Sequence, residues 1–170
     1  VRKQPEMVEQ VLDVCTEVAI QFTRLQLEAG ASMLWLGEPM GAVISPAAFA
    51  RLCVPRLQRV LELCPERNIL HVCGDTTPHL AQLLATGARV LSLDTAVDLP
   101  ALALRVPREV VLMGNIDPVR VLQQGSVVQV RQATTALLDA MEPFDNFILS
   151  TGCSMPRTSP PENEREIGRA

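Results

Sequence analysis

Five times along this chain a short, continuous apolar run stops at a glycine or a polar residue, and an amphipathic segment follows. The runs are Ser32-Met33-Leu34-Trp35-Leu36, Asn68 to Cys73, Arg89 to Leu93, Val110 to Met113, and Asn146 to Ser150. Runs this short, without the polar alternation of a half-exposed strand, read as strands buried on both faces. Strands of that kind joined by helices make a parallel sheet with helical crossovers, an α/β architecture. The strand–helix alternation predicts a (β/α)8 barrel. A doubly wound open sheet also carries ligands at its strand ends, but no glycine-rich phosphate fingerprint follows any run here.

The intervening segments read as helices. Met7, Val8, Val11, Leu12, Cys15, Val18, Ala19, Phe22 and Leu25 recur at helical spacing over 6–29, and Gly30 stands where a C-terminal cap is needed. After the loop Gly37-Glu38-Pro39-Met40-Gly41, Ser45-Pro46 supplies an N-cap and a first-turn proline. That helix turns Phe49, Leu52, Cys53, Leu57, Val60 and Leu61 inward, and Pro55 should kink or split it. Thr77-Pro78 opens a helix through Leu80, Leu83 and Leu84 that ends at Gly87. A short helix is expected near 98–106 and a single turn after Asp117-Pro118. A longer helix follows Gly125-Ser126, with Val127, Val130, Ala133, Leu137, Leu138 and Met141 apolar. Pro160-Pro161-Glu162-Asn163 starts a final helix that ends early.

A complete barrel has eight units and about 250 residues. The 170 residues here, read as a single domain over 1–170, show only five units. The chain is thus either the C-terminal part of a barrel or a shortened one. It opens almost directly in a helix and without Met, which reads as a cut start.

The polar residues cluster in one half of the repeat. Glu38, His71 with Cys73, Asp94, Asn115 with Asp117, and Cys153 all fall at C-terminal ends of strands, the face that carries the active site in a barrel. His71 and Cys73 are two residues apart, so on a strand they project from one face. Zinc takes imidazole and thiolate ligands tetrahedrally, and catalytic sites keep one position open. His71, Cys73 and Cys153 would supply one nitrogen and two sulfurs; alternatively each is an ordinary core residue. Glu38 is either a fourth, displaceable ligand or a loop carboxylate. Asp94 and Asp117 can orient substrate or hydrogen-bond a ligating His, although Asp117 before Pro118 fits a helix N-cap better. Cys15, Cys53 and Cys64 are placed on helices as core or surface thiols, and His79 as solvent-exposed.

Composition narrows the function classes. With 48% hydrophobic and 20% charged residues the chain is globular. A net charge of −4 argues against nucleic-acid or anionic-membrane partners. No apolar run approaches the ~18–20 residues of a membrane span. Five cysteines without disulfide-scaffold spacing suggest a reducing cytoplasm. Aromatics at 3%, with no Tyr, leave little for stacking on bases or sugars.

His71-Val72-Cys73-Gly74, Leu93-Asp94, Gly114-Asn115-Ile116-Asp117-Pro118, and Ser150-Thr151-Gly152-Cys153 followed by Pro160-Pro161-Glu162-Asn163 resemble the uroporphyrinogen decarboxylase superfamily. The resemblance runs from about Gly30 to Asn163. Within the superfamily, the His-x-Cys and the distant Cys are similar to the zinc-dependent methylcobamide:thiol methyltransferases, such as the methylcobamide:coenzyme M enzymes. The resemblance implies a β/α barrel and Zn2+ on His71, Cys73 and Cys153, with Glu38 as the acidic group that completes the shell until a thiol arrives. It implies that a methylated corrinoid protein gives its methyl group to a small-molecule thiol held as thiolate. Glu38 and Asp94 are then the candidate catalytic residues, and Asn115 and Asp117 the candidate contacts to the methylcobamide. One rival is a metal-free decarboxylase of the same superfamily, whose key acid lies in an N-terminal segment absent here. The other is a non-catalytic metal- or corrinoid-binding module, or a closed structural zinc site. The family's first three strand–helix units are missing, and a homo-oligomer is one way to complete the barrel.

Overall fold

The computed structural model of the chain describes residues 4–39 and 41–169; Met40, in the expected loop, lies outside the described residues. The chain begins with helix α1 (Pro5–Glu28) and strand β1 (Leu34–Glu38). A 3-10 turn over Gly41–Val43 leads to α2 (Pro46–Leu52) and α3 (Val54–Leu61). Next come β2 (Asn68–Val72), α4 (Leu80–Ala85), β3 (Val90–Leu93), α5 (Leu99–Ala103) and β4 (Val111–Ile116). A π-helical segment (Pro118–Gln123), α6 (Val127–Met141), β5 (Phe147–Thr151) and α7 (Pro161–Ile167) complete the chain.

The five strands are all parallel and lie in the order β1-β2-β3-β4-β5. A doubly wound sheet reverses its strand order at a switch point. This sheet never reverses, so it is singly wound, as in a barrel, and carries five of a barrel's strands.

Local chemistry explains the helix boundaries. Ser45 caps α2 by accepting from the amide of Ala48 at 3.2 Å, and the helix breaks at Cys53 ahead of Pro55, as that proline requires. Ser126 and Gln129 form a reciprocal capping box at the start of α6. Asp117 caps the π-helical segment, accepting from Val119 and Arg120, both at 2.8 Å.

The two faces of the sheet differ. In register, Leu36, Leu70, Leu91, Leu112 and Phe147 form one row, on the face the helices cover. Phe49, Leu70, Leu83, Leu91, Leu93 and Leu112 are fully buried there, in a core built from α2, α4 and the strands. The opposite face bears the row His71, Ser92, Met113 and Ile148, with Trp35 and Ser150 nearby. In a closed barrel this second face is the interior. Here Trp35 and Ile148 on it are exposed.

Helix α1 leaves much of its apolar surface uncovered. It buries Thr16, Ile20 and Thr23 on the side it turns to α3, while Met7, Val11, Val14, Val18, Phe22 and Leu25 form an exposed stripe. Thr16 is satisfied within the helix, donating to the carbonyl of Leu12 at 2.7 Å. Arg51, Arg56 and Arg59 tie α2 and α3 to Glu9, Asp13 and Glu17, so polar pairs fix one flank of α1 and the apolar stripe is left outside. Because Phe22 is 61% exposed, Phe22→Ser is expected to leave urea-unfolding stability within about 0.5 kcal/mol of the parent chain. A larger loss would mean the stripe is covered in solution.

His79 corrects the sequence expectation of exposure. It is 4% exposed, its Nε2 lies 2.8 Å from the carbonyl oxygen of Ile44, and its ring meets Phe49 edge-on at 5.7 Å. The segment after the 3-10 turn folds over the start of α4 and takes His79 as an anchor. Among the described residues no helix is long and apolar enough to cross a membrane.

Candidate metal centre

His71 is the penultimate residue of β2 and faces the barrel side; Cys73 follows the strand by one residue. Their spacing of two does what the pleat requires: Sγ of Cys73 lies 3.3 Å from Nε2 of His71. The third donor comes from beyond β5, where Gly152 turns the chain and brings Sγ of Cys153 to 3.8 Å from that of Cys73. Imidazole nitrogen and both sulfurs lie within 4.8 Å of one another.

These spacings can be set against what zinc needs. Two thiolates about 2.3 Å from a tetrahedral ion stand about 3.8 Å apart, and a thiolate and an imidazole nitrogen about 3.6 Å. The 3.8 Å between the sulfurs matches that geometry, and the 3.3 Å between Sγ of Cys73 and Nε2 of His71 is about 0.3 Å shorter. All five cysteines are free thiols.

The tautomer of His71 follows from its other nitrogen. Nδ1 lies 3.2 Å from the carbonyl oxygen of Ser92 and 3.1 Å from its hydroxyl. A carbonyl only accepts, so Nδ1 carries the proton and Nε2 turns its lone pair toward the sulfurs. This partner is Ser92, where the sequence reading looked to Asp94 or Asp117. Ser92 is the one polar side chain in an otherwise apolar β3 and is 2% exposed. A buried hydroxyl alternating onto the His71 face is the signal that would have found it.

Asp94 stands just past β3. One carboxylate oxygen accepts from the amide of Gly74 at 2.9 Å, the residue after Cys73. The other accepts from the Ala96 amide and the Thr95 hydroxyl. Asn115 also serves this corner: its amide donates to the carbonyls of Asp94 and Val97, at 3.1 and 2.7 Å. Asp117 is occupied as a helix cap, the reading its position before Pro118 favoured.

Glu38 lies apart from the three donors. It pairs in register with Val72, on the helix-covered face, whereas its neighbour Gly37 pairs with His71. Its carboxylate rests over Gly41, so close that a methyl group there would fall 2.5 Å from Oε2. Its charge is felt at both nearby thiols. Cys53 is pushed up to about 11 by burial and then by Glu38, with Arg56 opposing. Cys73 is pushed up to about 11 by burial, then by Cys153, Asp94 and Glu38.

Two cavities meet at Cys153. One, of about 320 Å³, is lined by Trp35, His71, Ser92, Ser150 and Met155 on the barrel side. The other, of about 450 Å³, lies among Asp94, Thr95, Asp117, Val119 and Arg120. The donor set is therefore approachable from two directions.

The chain is 28% identical over 167 residues to the methylcobamide:CoM methyltransferase MtbA of Methanosarcina mazei, covering 95% of this chain and 48% of that protein. It is 31% identical over 171 residues to the uroporphyrinogen decarboxylase of Granulibacter bethesdensis, covering 96% of this chain and 48% of that one. It superposes on a solved methyltransferase from Methanosarcina mazei with a TM-score of 0.87 at 24% identity, over 99% of this chain and 50% of that one. The chain thus spans about half the length of the relatives it matches. The model of the uroporphyrinogen decarboxylase family matches residues 1–169, and with the singly wound sheet this establishes that the chain belongs to that family.

Proposed function

We propose that this chain is the metal-carrying part of a zinc-dependent methyltransferase that moves a methyl group from a methylated corrinoid protein to a small thiol such as coenzyme M. The observation that carries this reading is the donor set: one imidazole nitrogen and two sulfurs within 4.8 Å of one another, beside two open cavities. The identity to methylcobamide:CoM methyltransferases supports it.

In this reading Nε2 of His71, Sγ of Cys73 and Sγ of Cys153 hold the ion, leaving one position for substrate. A zinc ion there would lower the pKa of an incoming thiol and keep it as the nucleophile. The chain's own residues do the rest by placement. Ser92 holds the imidazole proton at Nδ1, so that Nε2 stays a donor. Trp35, Met155 and the hydroxyls of Ser92 and Ser150 line the cavity on the barrel side, which is offered to the acceptor. The cavity bounded by Asp117, Val119 and Arg120 is offered to the methyl donor. Glu38 acts through its negative charge, which raises the Cys73 thiol.

Glu38→Gln is accordingly expected to weaken zinc binding less than tenfold, measured by competition with a chromophoric chelator. A loss as large as that from removing a cysteine would make Glu38 a ligand.

A metal-free decarboxylase is the second reading, favoured by the 31% identity to a uroporphyrinogen decarboxylase. The test of the first is a thiol titration of the cobalt(II)-substituted chain. An open catalytic site predicts that coenzyme M changes the visible ligand-field spectrum. A spectrum indifferent to thiols means a closed site with four protein ligands. Failure to take up cobalt at all favours the decarboxylase.

A further inference from the structure

The three donors come from two strands that are not neighbours. His71 lies in β2 and Cys73 just past it, Cys153 follows β5, and β3 and β4 stand between them. Hydrogen bonds within either element cannot set the distance from one to the other. Some third element must hold both, and a single tetrapeptide does so.

Ser92 to Thr95, at the end of β3, touches the surroundings of every donor. Ser92 fixes the ring of His71 through its carbonyl and hydroxyl oxygens. Asp94 takes the Gly74 amide at 2.9 Å and so fixes the backbone immediately after Cys73. Thr95 and Asp94 press against Gly152, the residue before Cys153. A methyl group on Gly152 would lie 2.5 Å from the Thr95 nitrogen and 3.2 Å from the Asp94 carbonyl carbon. No side chain fits there, so this packing requires glycine and lets the β5 turn sit directly on β3. From the other side, the Gly152 amide donates to the Ile116 carbonyl at 2.8 Å, and the Thr151 hydroxyl donates to the Cys153 carbonyl at 2.8 Å. Asn115 in turn clamps the tetrapeptide by donating to the carbonyls of Asp94 and Val97.

We infer that Ser92 and Asp94 are positioning residues for the metal site: the β3 end is a template that holds the His71, Cys73 and Cys153 donors within 4.8 Å of one another before an ion arrives. The inference rests on the metal reading proposed above. It assigns Asp94 to holding the Gly74 backbone and not to contact with substrate. Its physical basis is general: partners behind metal ligands orient them, and losing one weakens metal affinity by about 10- to 100-fold.

The experiment measures cobalt(II) affinity and the cobalt(II) visible spectrum for the parent chain, Ser92→Ala, Ser92→Thr and Asp94→Ala. Thermal melting of each metal-free protein is measured alongside. The template predicts affinities about 10- to 100-fold weaker for Ser92→Ala and Asp94→Ala, with altered ligand-field bands. It predicts metal-free melting temperatures close to the parent's, and recovery of affinity in Ser92→Thr, which keeps the hydroxyl. A parent chain that binds and variants that bind equally well would overturn the template and leave the metal site standing. Affinity losses that only track a lowered metal-free melting temperature, without recovery in Ser92→Thr, would show a merely structural role and also overturn it. A parent chain that takes up no metal would sink the functional reading and this inference together.

Discussion

Cys73→Ala and Cys153→Ala are each expected to weaken zinc binding by at least about a hundredfold, enough to yield metal-free protein after gel filtration. Structural zinc sites with four ligands bind with about 10–16 kcal/mol, so one ligand is worth several kcal/mol. A site with three protein donors has less to spare. Each substitution also leaves the partner sulfur with nothing 3.8 Å away to share an ion. The matched controls are Cys15→Ala and Cys64→Ala. Cys15 is exposed on α1, and Cys64 is buried, with its thiol 3.2 Å from the carbonyl of Arg67. Both should retain parent zinc content. Metal retained at parent affinity after loss of Cys153 would mean that β5 takes no part in the site.

The second large effect is on stability. Phe49→Ala is expected to cost about 3–5 kcal/mol, the range for emptying a large aromatic from a closed core. Phe49 is 0% exposed and sits where α2 meets β2 and α4. Its ring packs against His79 and comes within reach of Gly41 beneath the Glu38 carboxylate. The loss should reach beyond a cavity, because the same ring supports the segment that leads out of β1. For a chain of this size the melting temperature should fall by on the order of 10 °C. A drop of only a few degrees, by calorimetry or far-UV circular dichroism, would mean that α2 is not docked as described.

The sheet was legible in the sequence because its strands are short, continuous apolar runs; β4 continues through Gly114 to Ile116, past the end expected at Met113. The caps at Ser45, Asp117 and Ser126 were legible because capping is local chemistry. The His71–Cys73 pair followed from strand periodicity alone. Cys153 was linked to them by its place at the C-terminal end of another parallel strand, and the family resemblance implied the same three donors.

One misreading, at His79, and several gaps have physical causes. His79 follows a proline at a helix start, usually a solvated position, yet the segment around Ile44 closes over it. Helix α1 has apolar residues around much of its circumference, so periodicity could not tell which stripe would be covered; the arginines of α2 and α3 decided it. Glu38 looked equivalent to the other strand-end residues because sequence shows position along a strand but not register. Pairing with Val72 puts it on the face away from His71. Ser92 escaped notice because a lone serine in an apolar strand has no motif; only its alternation with the His71 row gives it meaning.

The most direct measurement is the zinc content of the purified chain, prepared without chelators and with its folded state verified by circular dichroism. The arrangement of His71, Cys73 and Cys153 predicts about one zinc per chain, removable by a strong chelator and restored on adding zinc. A folded chain that neither carries zinc nor takes it up at micromolar concentration would contradict the account.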